Sequence, residues 1–248
     1  MDFIIDGEKI DSEDYSGASI YLDACFILTY LDKSDKRRPD VARVLDTWAE
    51  YPDVTLGISN HTVTEVINRI FQMLILGSLQ IFHENNRLIN QTKDGYEKLS
   101  LFQKEQLVNL DSARYLYSLA KKEEILRLYK KEVNVNISEL IKMAKENEIK
   151  RKKLDTFYNI AITKFESFIN CMRSELDFSF EVLDSKAEPD YQVAKTNMRF
   201  LQLDITDSFH LAIAKSNDYD FLATLDSDFI HNLYSTLPEL SMKIIKVA

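Results

Sequence analysis

Four acidic residues stand where apolar secondary structure ordinarily excludes charge. They are Asp23 in Ile20-Tyr-Leu-Asp-Ala-Cys-Phe-Ile-Leu28, Glu65 in Thr62-Val-Thr-Glu-Val-Ile-Asn68, Asp207 opening Asp207-Ser-Phe-His-Leu-Ala-Ile-Ala214, and Asp226 closing Phe221-Leu-Ala-Thr-Leu-Asp226. An unpaired carboxylate withdrawn from water is costly, so such positions chiefly serve to pair a cation or bind a metal. Two carboxylates about 4 Å apart repel by about 4 kcal/mol at an effective dielectric of about 20, so four converging acids require cations. An all-oxygen donor set suits Mg²⁺ or Mn²⁺, the former usually held by one or two carboxylates with waters and substrate phosphate oxygens.

Each acid also has an ordinary explanation when taken singly. Asp23 could be a helix N-cap, Asp207 a first-turn acid favoured by the helix dipole, and Asp226 a turn former before Ser227-Asp228. Asp228 reads as a supporting or turn residue rather than a ligand, and Thr224 as a hydroxyl beside the acids or a plain β-branched strand residue. His210 lies three residues after Asp207, but Phe209, Leu211 and Ile213 around it suggest a packed, structural histidine. His61 and His83 have no evident partner.

The elements that must position these residues follow from periodicity. Asp6-Gly7 between Phe3-Ile-Ile5 and Lys9-Ile10 predicts an N-terminal hairpin, so residues 1–17 read as an extension. Ser19 to Leu28 reads as a buried strand running into a helix, with Asp23 at the strand's carboxyl end. Val41, Val44, Leu45 and Trp48 have helical spacing, and Val54 to Ile58 form a second strand. Ser59 or Asn60 caps a helix running through Glu65 to about Phe82, with Val63, Val66, Ile67, Ile70, Phe71 and Leu74 on its buried side. Residues 83 to about 155 predict two or three amphipathic helices. The α/β alternation then resumes: a helix at 154–172, a strand at 178–183, a helix at 190–201, a helix capped at Asp204, and strands at 221–225 and 243–247. This alternation predicts a parallel sheet flanked by helices, with ligands beyond the strands' carboxyl ends. Asp23 and Asp226 both fall at such ends, so a single shared cleft is expected.

Composition sets the outer bounds. In 248 residues with 45% hydrophobic content, five glycines and four prolines argue for a globular, largely helical chain. The acidic N-terminus lacks signal-peptide features, and Cys25 and Cys171 read as buried thiols of a reducing compartment, so the expected location is the cytoplasm. The apolar stretch Ile70–Phe82 is interrupted by polar residues and too short to span a bilayer, so no membrane association is expected. The net charge is −9, yet Lys121 to Lys153 holds eleven Lys and Arg against six Glu. Within it, Lys150, Arg151, Lys152 and Lys153 are candidates for a nucleic-acid phosphate contact, against the alternative of a solvated helix face.

The motifs Leu22-Asp23-Ala24, Thr64-Glu65-Val66, Asp204-Ile-Thr-Asp207 with its following helix, and Phe221-Leu-Ala-Thr-Leu-Asp-Ser-Asp-Phe229 resemble those of the PIN-domain nucleases, most closely the VapC-type ribonuclease toxins. The last two, with Asp207 and Asp226 nineteen residues apart, are the most specific. The resemblance covers residues 18 to about 82 and about 155 to 246. It implies a PIN-like α/β fold over 18–248, interrupted by a helical insertion at about 83–155, because 142 positions separate Glu65 from Asp207. It further implies that Asp23, Asp207 and Asp226 hold Mg²⁺ or Mn²⁺ most directly and that Glu65 completes the catalytic site. The implied reaction is metal-assisted hydrolysis of RNA, leaving 5′-phosphate and 3′-hydroxyl ends. Relatives often dimerise and bind antitoxin-like protein inhibitors. A nuclease of structured DNA and a catalytically silent PIN-like scaffold are the competing readings.

Overall fold

The computed structural model describes residues 3–91, 94–129, 137–230 and 242–247; parts of the basic segment and of the final motif's surroundings lie outside them. Six strands form one sheet in the order β1-β6-β5-β2-β3-β4, and every neighbouring pair is parallel. They are β1 (Ile4–Asp6), β2 (Ser19–Leu22), β3 (Thr55–Ser59), β4 (Ser179–Leu183), β5 (Phe221–Thr224) and β6 (Lys243–Lys246). The helices are α1 (Ala24–Leu31), α2 (Arg38–Ala49), α3 (Asn60–Gln91), α4 (Leu101–Leu107), α5 (Leu110–Leu119), α6 (Lys122–Tyr129), α7 (Ile137–Glu146), α8 (Asp155–Ser174), α9 (Ala187–Phe200) and α10 (Ile205–Ser216).

The chain divides into two compact units: residues 1–66 with 164–248, and residues 67–163. The first holds the sheet. Successive side chains on a strand face opposite ways, and here Tyr21, Leu222 and Ile244 form one row covered by Leu211, Ala214 and Tyr219. On the opposite face Phe221 packs on Tyr15, which meets Trp48 of α2, itself stacked on Phe26 of α1. Parallel sheets need both faces covered, which explains the nearly continuous apolar runs of β2 and β5. The amino ends of the strands are tied by Asp220: its carboxylate accepts from the backbone and hydroxyl of Ser19, and its own carbonyl accepts from Lys243.

Three expectations change. The N-terminal hairpin does not form: Asp6-Gly7 leads β1 into a 3-10 turn at Gly7–Ser12, and β1 pairs in parallel with β6, so these residues belong to the sheet. α3 runs for 32 residues, past Phe82 to Gln91, with buried residues Val66, Ile70, Phe71, Ile75, Leu79 and Phe82 recurring along one stripe. By length and composition alone this helix is apolar enough to cross a membrane, although such a helix equally fits a protein core. The second unit is broader than 83–155. It holds α4 to α7 and a 3-10 turn at Lys150–Leu154, around a core of Phe82, Ile89, Leu99, Leu107 and Ala113.

Gly57 sits between Tyr21 and Glu181 in the register of β2, β3 and β4. The Tyr219 ring crosses directly over it, packs edge-on against Tyr21, and donates its hydroxyl to Glu181 at 3.3 Å. A Cβ at Gly57 would overlap that ring. Gly57→Ala is therefore expected to destabilise the protein by about 1–3 kcal/mol through overpacking. In a Tyr219→Leu background the same change should cost less, and the double-mutant cycle, read by urea denaturation, measures the coupling.

Candidate functional site

β2 and β5 are neighbours whose chain continues in opposite directions, β2 to β3 on one side and β5 to β6 on the other. Ligand crevices of parallel α/β sheets open at such a reversal, beyond the carboxyl ends of the strands. Asp23 immediately follows β2, and Asp226 comes two residues after β5.

Asp23 is buried and caps α1. Its Oδ1 accepts from the Ala24 N–H at 2.6 Å, and its Oδ2 accepts from the Thr224 hydroxyl at 2.9 Å and the Cys25 thiol at 2.8 Å. Thr224 in turn accepts from the backbone N–H of Asp226 at 2.9 Å, so it joins the two strand ends. Asp226 is half-buried and accepts the Asp228 N–H at 2.9 Å. This is a turn interaction, and the Asp228 side chain itself is exposed.

α10 brings the third acid. Asp204 caps it by accepting from the Asp207 N–H at 2.8 Å, which places Asp207 in the first turn and His210 one turn on, along the same face. Burial, followed by the charges of Asp204, Asp23 and Asp226, pushes the Asp207 carboxyl up to about 7, with His210 opposing the rise. Asp204 is thus an additional acid of the site, legible as the first residue of an Asp-x-x-Asp helix start.

His210 is wholly buried, as expected of a structural histidine, and the structure adds polar partners at both of its nitrogens. Nε2 lies 3.2 Å from Glu65 Oε2 and 3.8 Å from Asp23 Oδ1; Nδ1 lies 2.9 Å from the Tyr21 hydroxyl and 3.4 Å from Thr62. The Tyr21 hydroxyl donates to Ser59 at 2.8 Å, so its one proton is engaged and Nδ1 must be the donor to it. A bare Nε2 would face two carboxylates with its lone pair, so a proton belongs there too. Burial alone would disfavour this charge, but the Glu65 hydrogen bond and the charges of Asp23, Glu65 and Asp207 outweigh it and raise the His210 pKa above its ordinary value. When protonated, the ring is an internal cation among the acids.

The structure therefore gathers Asp23 and Glu65 around one imidazole nitrogen and sets Asp207 within electrostatic reach of Asp23 and Asp226. Among the described residues no three His, Cys, Asp or Glu side chains share a coordination point. The acids offer oxygen donors of the kind that hard cations take, but both Asp23 oxygens are engaged by Ala24, Cys25 and Thr224. The thiols differ from expectation: both are only partly buried, and burial with the Asp23 charge drives the Cys25 pKa far up. His61 stacks on Phe209, and His83 is hydrogen-bonded to Tyr117. Of the basic cluster, Lys150 and Lys153 lie over the Tyr115 ring within the second unit, and Lys150, Arg151 and Lys152 are exposed.

Comparisons with protein-family models, with curated proteins and with solved structures find no match for the chain. The α/β class, with its all-parallel central sheet flanked by helices, is what the fold itself defines.

The site dictates a pH response in metal-free protein. The Asp207 pKa is higher folded than unfolded, so the folded form holds the proton more tightly and stability falls as pH rises from about 4 to about 7. The raised His210 pKa contributes stability that is complete below about 6.5 and lost above it. Asp207→Asn should thus gain in melting temperature over the parent as pH rises, reaching a plateau above about 7, in a thermal melt series with EDTA. Tyr21→Phe should cost about 1–3 kcal/mol by leaving the buried His210 Nδ1–H and Ser59 without their partner, as read from chemical denaturation.

Proposed function

We propose that this protein is a Mg²⁺- or Mn²⁺-dependent ribonuclease of PIN-like type. The observation that carries the reading is the placing of Asp23, Glu65, Asp207 and Asp226 about the strand-order reversal, where burial and then the charges of Asp204, Asp23 and Asp226 raise the Asp207 pKa. Such a site binds its proton or a cation because it cannot hold all its charges bare. Asp23, Asp207 and Asp226 would hold the metal. When bound, it supplies an acidified water and neutralises charge developing at phosphorus.

The chain's own residues set up that chemistry. Thr224 and the α1 amino end fix the Asp23 carboxylate, the Asp204 cap fixes the first turn that carries Asp207, and His210 holds Glu65 toward Asp23. Glu65 is 44% exposed at its side chain, so it can meet substrate or solvent while tethered at one oxygen. Arg151 and Lys152 of the second unit are lesser candidates for phosphate contact. As one member of a toxin–antitoxin pair, the chain would meet an antitoxin-like protein whose basic groups complement the acidic cleft. The engagement of both Asp23 oxygens favours the second reading, a catalytically silent scaffold.

Two measurements decide. Labelled tRNA, rRNA and single-stranded DNA incubated with Mn²⁺ or with EDTA should show Mn²⁺-dependent cleavage of RNA, reduced by at least about 100-fold in Asp207→Asn and Asp23→Asn. Mn²⁺ at about 100 times its dissociation constant should stabilise the parent by about 2.7 kcal/mol and these variants far less. Wild-type turnover in either variant removes that residue from catalysis, and stabilisation without cleavage of any substrate leaves the scaffold.

A further inference from the structure

We propose that the exposed face of α9, through Lys195 and Arg199 with the Tyr191 and Phe200 rings at its margins, binds single-stranded RNA beside the acids of α10. The inference rests on the ribonuclease reading and names how substrate is held. α9 and α10 run antiparallel: Asn197 donates to the Ser208 carbonyl near one end and Lys186 to the Ser216 carbonyl near the other. The carboxyl end of α9 is therefore joined by only four residues to the helix that carries Asp207. Within that link Leu201 and Leu203 are buried in the core, whereas Phe200 and Ile205 on either side remain 69% and 66% exposed.

The charges on this face are unbalanced. Glu188 is engaged by Gln192, and Asp190 is buried against the Lys186 N–H. Lys195 and Arg199, one helical turn apart and both exposed, form no salt bridge among the described residues. A polyanion approaching Asp23, Glu65, Asp207 and Asp226 is repelled unless cations lie along its path, and these two lie on the helix leading to the acids. Exposed aromatic rings beside such cations favour single strands, whose unstacked bases lie on them regardless of sequence.

The test uses the full chain carrying Asp207→Asn, a labelled short single-stranded RNA and Mg²⁺, with affinity measured by fluorescence anisotropy over a salt series. Adding Lys195→Gln and Arg199→Gln should lower the slope of log affinity against log salt by about 1.4, at about 0.7 per lost phosphate contact. Phe200→Ala should instead weaken binding about 5- to 150-fold with an unchanged slope. If RNA binds but neither change appears, the α9 face is a solvated helix surface and the proposal falls while the ribonuclease reading stands. If no RNA binds and the parent cleaves none, both fall. A loss of self-association in the Lys195→Gln, Arg199→Gln variant with an unchanged salt slope would give the face to a second copy and overturn the proposal.

Discussion

One buried imidazole holds the candidate site together. His210 projects from α10 into the space between β2 and the start of α3, and its two nitrogens divide the work. Nδ1 is anchored by Tyr21, whose hydroxyl is itself fixed by Ser59 and lies 3.0 Å from Thr62, while Nε2 faces Glu65 and Asp23. A buried charge that lost either set of partners would be a large penalty, so the polar chain is a constraint on where three elements may sit. Ser59 reinforces it by capping α3 through the Thr62 N–H at 3.2 Å, so the helix carrying Glu65 begins where the network needs it.

The same arrangement explains how several acids can lie near one strand end. An internal cation offsets part of their repulsion, the α1 amino end and Thr224 stabilise Asp23, and Asp207 carries the remaining strain as a raised pKa. The cluster thus has graded members: Asp23 firmly held, Glu65 tethered and half open, Asp207 keeping its proton to a higher pH than a free carboxyl does.

How much of this was legible in the sequence depends on the range of each interaction. The strands that carry Asp23 and Asp226, the α10 cap at Asp204 and the buried stripe of α2 follow from local pattern, because burial on both sheet faces and helical periodicity leave marks within ten residues. The edge strand β1 did not: Asp-Gly suggests a turn back on itself, but its true partner, β6, lies at the far end of the chain. The polar partners of His210 are hidden from the sequence for a related reason. Phe209 and Leu211 flank it in sequence yet point elsewhere on a helix, whereas Tyr21 and Glu65 stand 189 and 145 positions away. The extent of α3 and of the second unit was hidden as well, since polar residues such as Ser78 are buried there by long-range bonds, in this case to the Leu107 carbonyl.

Asp220 and Thr224 close the sheet from opposite ends. Asp220 ties the amino ends of β2, β5 and β6 through Ser19 and Lys243, while at the other end the Thr224 carbonyl accepts the Val247 N–H at 3.1 Å and its hydroxyl donates to Asp23. Strands riveted at both ends do not fan apart one by one, so their amides exchange with solvent chiefly when the three strands open together.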